Sequence, residues 1–196
     1  MEDTIIWTAW LLGAYLIGAI PFGFLIGKMR GVDVRTVGSK NIGATNVYRT
    51  VGHKWGFLAF FCDFLKGFVP TVVSTHQGYP EWIPVAVGFA CVLGHTLTPY
   101  MKFKGGKGVA TAFGMMMALI TVPVSIAFGV FVVTVWISHY ISLGSILAAM
   151  TVATLVWFFP AILALRILVT VLGVFIIYKH KSNIQRLAQG CENKIY

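Results

Sequence analysis

The chain has 196 residues, of which 58% are apolar and 11% carry a charge. Soluble domains are about 45–50% apolar and about 25% charged, so this composition excludes a water-soluble globule. The net charge of +9 does not indicate nucleic-acid binding, because the basic residues interrupt long apolar runs. Lipid is the expected solvent, and basic loops then report orientation or an anionic ligand.

Taken in chain order, the apolar runs predict an all-α, polytopic membrane helix bundle of about seven transmembrane helices in a single domain, 1–196. The expected spans are 4–27, 55–75, 82–100, 109–121, 123–138, 142–159 and 161–178. Pro123 is expected to divide the run from 109 to 140, which is too long for one span and short for two. Such breaks are typical of half-length helices around a cavity.

The two termini and the cysteines add little to this picture. The start Met1-Glu2-Asp3 lacks the basic segment of a signal peptide, so the first run is expected to stay as a membrane helix. Cys62, Cys91 and Cys191 are too widely spaced for a metal site. The sequence predicts no metal and shows no cofactor motif.

Charge predicts the orientation of the helices. Of 15 Lys and Arg, 13 lie in three segments: six in 28–54, three in 101–108 and four in 179–194. An odd number of spans places these segments on one side and Glu2, Asp3 and Glu81 on the other. The positive-inside rule then puts the N-terminus outside and the C-terminus in the cytoplasm. One helix more or less near Pro123 would reverse the tail.

The first basic segment is dense in hydrogen-bond donors and small residues. Glycines allow backbone amides to converge on an anion, and Arg49 can bind a phosphate through two hydrogen bonds. The alternative is a flexible polar loop. The candidate ligands are Ser39, Asn41, Gly43, Thr45, Asn46 and Arg49.

The second segment, Lys102-Phe103-Lys104-Gly105-Gly106-Lys107-Gly108, leads into the fourth predicted helix. Unpaired amides and the positive end of a helix together favour an anion, and Lys104 and Lys107 add full charges. The segment is not a Walker loop. A basic membrane anchor with a glycine hinge is the alternative.

The third segment is predicted to continue the last helix. His180, Asn183 and Arg186 are spaced by three and share a helical face, and His180 is the best-placed titratable group, since histidine has an unperturbed pKa of about 6.5. An ordinary basic anchor is the alternative. Ser142 is expected to be the N-cap of the sixth helix. The three segments are expected to meet at one membrane face, where even-numbered helices begin, and to hold two phosphates.

Asp63 and Lys66 lie within the second predicted span. Charges in a membrane are costly and are paired or functional. Their spacing favours an ion pair that fixes helix packing, and a proton or ion path is the alternative. His95 is expected to brace helices near the inner surface.

These segments resemble motifs of the bacterial integral-membrane glycerol-3-phosphate acyltransferases that use acyl phosphate as donor, and the likeness covers essentially the whole chain. The first motif is similar at Ser39-x-Asn41-x-Gly43-Ala44-Thr45-Asn46 and Arg49, the second from Gly94-His95 through Phe103–Thr111, and the third at His180-x-x-Asn183-Ile184-x-Arg186-Leu187-x-x-Gly190-x-Glu192. Asp63–Gly67 and Ser142-Leu143-x-Ser145 also fit. Lys40 and Ile42 stand where glycine and proline are common, and Pro99 is one place late.

The resemblance implies acyl transfer from a fatty acyl phosphate to the 1-hydroxyl of glycerol 3-phosphate, giving lysophosphatidic acid and phosphate, in the cell (inner) membrane with a cytoplasmic active site. It implies these substrates and membrane lipid as partners, with no cofactor. No His is followed after four residues by Asp, so a phosphate oxygen of the donor or His180 must take the proton. The first route is favoured, with His180 mainly a ligand.

The implied roles divide the residues between two phosphates, and individual assignments can be exchanged. Glycerol 3-phosphate is assigned to Arg49, Lys104, Ser142, His180 and Asn183. The acyl phosphate head group is assigned to Ser39, Asn41, Gly43, Thr45, Asn46 and the stretch Gly105–Lys107, with the oxyanion on Asn46 or backbone amides. The main alternative is a transporter of an organic phosphate or other anion, with ligands nearer the bilayer midplane. A purely structural membrane subunit is a third possibility.

Overall fold

The computed structural model describes residues 2–195, and these contain helices and turns without a β-strand. This confirms the predicted all-α class. The helices are α1 (Glu2–Ala19), α2 (Phe22–Met29), α3 (Ala44–Thr50), α4 (His53–Thr75), α5 (Trp82–Thr96), α6 (Val109–Leu119), α7 (Thr121–Ser138), α8 (Ile141–Leu155), α9 (Leu163–Lys179) and α10 (Lys181–Ala188). Single 3-10 turns follow α5 at Pro99–Met101 and α8 at Val156–Phe158.

Within residues 2–195, five segments are long and apolar enough to cross a membrane: Glu2–Met29, His53–Thr75, Trp82–Met101, Thr121–Ser138 and Ile141–Phe158. Helices α9 and α10 would form a sixth as a pair, although they are bent by 55° at His180. Helix α6 is apolar but shorter. A total of about seven spans therefore stays a prediction.

The helices form two compact units. The first ends at Leu119 and contains α1–α6, and the second begins at Ile120 and contains α7–α10. The boundary falls between α6 and α7, inside the apolar run that was expected to be divided. The single domain expected from the sequence stays a prediction.

The first apolar run is not one helix, because it breaks at Ile20 and Pro21. The last carbonyl groups before the break lose their regular helical partners, which lipid cannot replace. Side chains from other segments supply them: Thr98 Oγ1 donates to Ala19 O at 2.7 Å, and Lys66 Nζ donates to Ile20 O at 2.8 Å. The segment Glu2–Met29 is still one candidate span, so the break interrupts the helix within the predicted span 4–27 and does not remove the span.

The break that was expected at Pro123 lies a few residues earlier. It lies at Ile120, and Pro123 is the third residue of α7. Proline is tolerated in a first turn because its missing amide would have had no partner within the helix. The run is thus divided into two helices as predicted, with Pro123 in the first turn of the second helix.

Small residues allow helices of the first unit to approach closely. A Cβ at Gly18 would overlap the carbonyl of Cys91, and one at Gly94 would overlap the carbonyl of Tyr15, so α1 and α5 pack backbone to backbone. Such contacts are typical of membrane helices, which associate mainly through van der Waals packing. This packing fixes α5, whose C-terminal end supports the second basic segment.

Candidate functional site

The first motif is folded around Asn46, whose side chain is 2% exposed. Its Nδ2 donates to Val34 O at 2.8 Å and to Val37 O at 3.2 Å. Its Oδ1 accepts from the amide of Ser39 at 2.9 Å. Both amide hydrogens and the carbonyl oxygen are therefore engaged in shaping the loop. This geometry favours a positioning role for Asn46 and leaves the oxyanion to backbone amides.

The backbone of this loop needs unusual conformations. Lys40 has a φ of +57° and Gly38 a φ of +59°, and a Cβ at Gly38 would also overlap Asn46 Oδ1. Lys40, which stands where the resembled family commonly has glycine, thus adopts a conformation that glycine adopts at low cost. Asn41 Oδ1 accepts from the amide of Gly43 at 2.8 Å, directly before α3.

Helix α3 carries the remaining candidates of this motif. Gly43 is its N-cap residue, and Thr45 and Arg49 lie four residues apart on it, both half-buried. Residues at this spacing share a helical face. Ser39 precedes the helix and is exposed. The motif thus combines a buried hydrogen-bonded frame with an accessible hydroxyl and a guanidinium.

The second motif differs from the expectation that its glycine amides are unpaired. The amide of Gly105 donates to Thr96 O, and that of Gly106 donates to His95 O, each at 3.2 Å. The glycines are needed for packing, because a Cβ at Gly105 would overlap the carbonyl oxygen of His95. The stretch therefore closes the C-terminal end of α5, and its glycine amides are not the expected anion donors.

The lysines and the start of α6 stay the candidates for anion binding in this motif. Lys104 is exposed and Lys107 is half-buried. Gly108, with a φ of +86°, turns the chain into α6, and the first amides of a helix lack intrahelical partners. Ala112 is the first whose amide bonds back to Gly108 O, at 2.8 Å. The candidate anion donors of this motif are thus the lysines and the amides of 109–111.

The predicted ion pair of α4 is present and buried. Lys66 Nζ lies 2.7 Å from Asp63 Oδ1, and each side chain is 2% exposed. The same carboxylate oxygen lies 3.6 Å from Nδ1 of His95, which is 6% exposed. His95 thus braces α5 against α4, in agreement with the sequence-based expectation.

In the second unit, the polar candidates gather around Glu192, which no predicted role had included. Oε1 of this buried carboxylate accepts from Ser142 Oγ at 3.0 Å and from Asn183 Nδ2 at 2.8 Å. Oε2 accepts from Arg186 Nε at 2.7 Å. Burial alone would raise the pKa of Glu192, but these hydrogen bonds outweigh burial and lower it. The carboxylate is charged and holds three donors in place.

The chain reverses direction to bring Glu192 to this position. Gly190 follows α10 with a φ of +67°, a left-handed conformation that favours glycine. The amide of Cys191 donates to Arg186 O at 2.9 Å, and that of Ile195 donates to His139 O at 2.8 Å. The tail therefore returns to the turn before α8 and is part of the fold.

Two local predictions for this unit were wrong. Ser142 is not the N-cap of α8, which is Tyr140, because its hydroxyl is used by Glu192. The tail does not continue α9 in a straight line, because the bend of 55° separates α10. The bend places His180 between the helices, and its Nδ1 donates to Ile176 O at 2.8 Å.

That hydrogen bond determines which nitrogen of His180 can accept a proton. A carbonyl oxygen only accepts, so Nδ1 carries the hydrogen and Nε2 is the acceptor nitrogen of the neutral ring. His180 is 3% exposed. A buried imidazole in this tautomer can accept a hydrogen bond from a substrate hydroxyl or take its proton.

Sequence reasoning included Glu192 only as the last position of the third motif. The one indication in the sequence was a single carboxylate within a basic tail, because a charged group that becomes buried needs partners. The spacing to Ser142, which is 50 residues away, hides this contact from any local pattern.

A family model described as glycerol-3-phosphate acyltransferase matches residues 8–190. Curated relatives of this description include a protein of Trichlorobacter lovleyi, 46% identical over 185 residues, with 94% of this chain and 95% of the relative covered. One of Aquifex aeolicus is 44% identical over 189 residues, covering 92% and 95%.

Solved structures give the same result. The chain resembles the crystal structure of PlsY (YgiH), an integral membrane glycerol 3-phosphate acyltransferase, in its glycerol 3-phosphate form. The TM-score is 0.91 at 40% identity, covering 96% of this chain and 94% of the other. For the lysophosphatidic acid form the TM-score is 0.88 at 39% identity.

Proposed function

The chain belongs to the glycerol-3-phosphate acyltransferase family, and we propose that it transfers a fatty acyl group from an acyl phosphate to the 1-hydroxyl of glycerol 3-phosphate. The products are lysophosphatidic acid and inorganic phosphate, in the first acylation of phospholipid synthesis. The observation that carries the proposed acceptor is the near-complete structural match to an enzyme crystallised with glycerol 3-phosphate.

The proposed donor is supported by the chemistry of the candidate residues. An acyl phosphate is a mixed anhydride with a good leaving group, so it needs no covalent intermediate on the protein. Among the described residues, the buried His95 faces a carboxylate that is already paired with Lys66, and His180 is hydrogen-bonded to a carbonyl. We assign neither histidine to the activation of a nucleophile on the protein.

In the proposed step, the 1-hydroxyl oxygen attacks the acyl carbon while the bond from that carbon to the phosphate oxygen breaks. The hydroxyl proton passes to a phosphate oxygen of the donor, and inorganic phosphate leaves. When glycerol 3-phosphate binds, His180 Nε2 accepts the hydrogen bond of the 1-hydroxyl and orients it, and this hydrogen turns to the phosphate oxygen as the attack begins. If His180 were the base, it would take the proton at the same atom.

In the first unit, Lys104 and Arg49 are proposed to bind the phosphate of glycerol 3-phosphate. Ser39, Asn41, Gly43, Thr45 and the Gly105–Lys107 stretch are proposed to form the site for the acyl phosphate head group. There Lys107 and the start of α6 attract the anion, and amides at the start of α3 stabilise the developing oxyanion. Asn46 acts by holding the loop that presents Ser39.

In the second unit, Ser142, His180 and Asn183 are proposed to contact glycerol 3-phosphate. Glu192 gives Ser142 and Asn183 fixed orientations by occupying one hydrogen of each. Ser142 can then accept a hydrogen bond from the substrate, and Asn183 presents its amide group in a fixed orientation. When the His180 ring is neutral, its Nε2 accepts a hydrogen bond, so His180 favours a hydroxyl group of the substrate.

A purified-protein assay tests this proposal. The protein in detergent is mixed with glycerol 3-phosphate and one donor at a time: a fatty acyl phosphate, the acyl-CoA or the acyl carrier protein thioester. We expect stoichiometric lysophosphatidic acid and phosphate with the acyl phosphate alone. Turnover with a thioester instead would reject the proposed donor. Anion transport into vesicles without acyl transfer would support the transporter alternative.

A further inference from the structure

A row of buried polar groups leads from the break between α1 and α2 to the glycine stretch. Lys66 Nζ contacts both Ile20 O, at 2.8 Å, and Asp63 Oδ1, at 2.7 Å. The carboxylate faces Nδ1 of His95 at 3.6 Å. Charged groups inside a membrane span are costly and mark functional positions by default, yet the proposed reaction uses none of these three.

The opposite side of the His95 ring supports the glycine stretch. Gly106 lies so close to the ring that a Cβ there would overlap Nε2. The backbone of His95 also accepts the amide hydrogen of Gly106, at 3.2 Å. His95 therefore contacts this glycine through its ring and through its carbonyl, so the orientation of the imidazole limits where the stretch can lie.

An ion pair that only fixes helix packing would not need the contacts of His95 with Asp63 and Gly106. An ion pair between residues three apart in α4 is complete within that helix, and α4 is also held against α6 by close backbone packing at Gly67 and Gly114. The contact of Asp63 with His95 extends the pair to α5 and to the segment before α6. This arrangement joins the charged pair to the part of the unit that is proposed to bind an anion.

We propose that Asp63, Lys66 and His95 are positioning residues that fix the glycine stretch, and with it Lys107 and the start of α6, for phosphate binding. Lys66 holds the Asp63 carboxylate in place. Asp63 orients the imidazole, and the imidazole supports Gly106. This inference rests on the proposed function of the stretch as a phosphate site.

The test compares three changes with a matched control. His95→Gln removes the ring but leaves a polar side chain, and Gly106→Ala disturbs the same contact from the loop. Asp63→Asn combined with Lys66→Met removes both charges, so that no unpaired charge remains buried. Thr71→Val is the control, because Thr71 is fully buried in α4 and its hydroxyl bonds only to Gly67 O within that helix.

Two quantities are measured for each purified protein: its Tm in detergent and the increase of Tm with inorganic phosphate, which reports phosphate affinity without turnover. KM and kcat for both substrates follow. We expect the three changes to weaken phosphate binding and raise KM on the order of tenfold to a hundredfold, with smaller changes in kcat. Thr71→Val should leave both unchanged.

The outcomes separate this inference from the proposed function. Variants with a lower Tm that bind phosphate like the wild type would show that the three residues only stabilise the fold, and this would overturn the inference. Variants with normal Tm and normal phosphate affinity would overturn it as well. If the wild-type protein neither binds phosphate nor turns over, the proposed function fails first. If His95→Gln does not fold, Gly106→Ala provides the same comparison without altering a buried polar group.

Discussion

Two buried side chains, Asn46 and Glu192, show how polar groups are used at the scale of single residues. Each satisfies its own hydrogen bonds with neighbours and thereby fixes a segment that carries other candidates. Buried polar groups that are fully satisfied make a structure unique and rigid. Asn46 and Glu192 are therefore expected to position groups, while Arg49, Lys104 and His180 are expected to contact substrate.

We expect Lys104→Ala and Arg49→Ala to fold normally and to lose activity. A hydrogen bond to a charged group contributes about 1.5–3 kcal/mol, so each change should lower kcat/KM by roughly tenfold to about 150-fold. The measurement is steady-state kinetics with varied glycerol 3-phosphate. Lys54→Ala is the control, because Lys54 is exposed at the start of α4 outside the motifs. Near-normal turnover of both variants would reject the site assignment.

We expect Glu192→Gln to remove the pH dependence of the stability that the C-terminal segment contributes. The pKa of Glu192 is lower in the folded protein than its ordinary value of 4.5, so its stabilising effect is complete above that value. The effect is lost as the pH falls through the lower, folded pKa. Thermal unfolding in detergent between about pH 3 and pH 7 measures it. The Tm of the wild type should fall at the acid end of this range, and the Tm of the variant should be low at every pH.

At the scale of helices, breaks and close packing depend on contacts from distant segments. The end of α1 is stabilised by Lys66 and Thr98, which are 46 and 79 residues from the carbonyl groups they bind. The bend before α10 similarly places His180 where a straight helix would not. Helix ends in this protein are thus determined by side chains of other elements, and these ends carry the candidate residues.

We expect Gly18→Ala to destabilise the first unit and Gly13→Ala to leave it intact. Both glycines lie inside α1, but a Cβ at Gly18 would overlap the backbone of Cys91, whereas one at Gly13 meets no atom within 4 Å. Overpacking costs about 1–3 kcal/mol, while alanine favours a helix over glycine by about 1 kcal/mol. Thermal unfolding in detergent distinguishes the variants. Equal Tm values would contradict the packing of α1 against α5.

At the scale of the whole molecule, the distribution of Lys and Arg predicts the orientation in the membrane. We expect cysteines replacing Lys40, Lys102 or Lys194 to react with a membrane-impermeant reagent only from the cytoplasm. One replacing Gln77 should react only from the outside. The native cysteines are first replaced by alanine. Labelling of any of the three lysine positions from the outside would reject the proposed orientation and the cytoplasmic active site.

The sequence by itself determined the features that depend on composition and on neighbours along one helix. Apolar content required a membrane protein with helical spans. The ion pair of Asp63 and Lys66 followed from spacing within α4 and is present at 2.7 Å. The three motifs also pointed to the family to which the chain belongs.

Only the tertiary structure decided which polar atoms are already used. The amides of Gly105 and Gly106 bond to the end of α5, and the hydroxyl of Ser142 bonds to Glu192, so their roles differ from those expected. The break at Pro21 likewise depends on partners far along the chain. The physical reason is that a buried polar group must find a partner, and the fold determines which partner lies within reach.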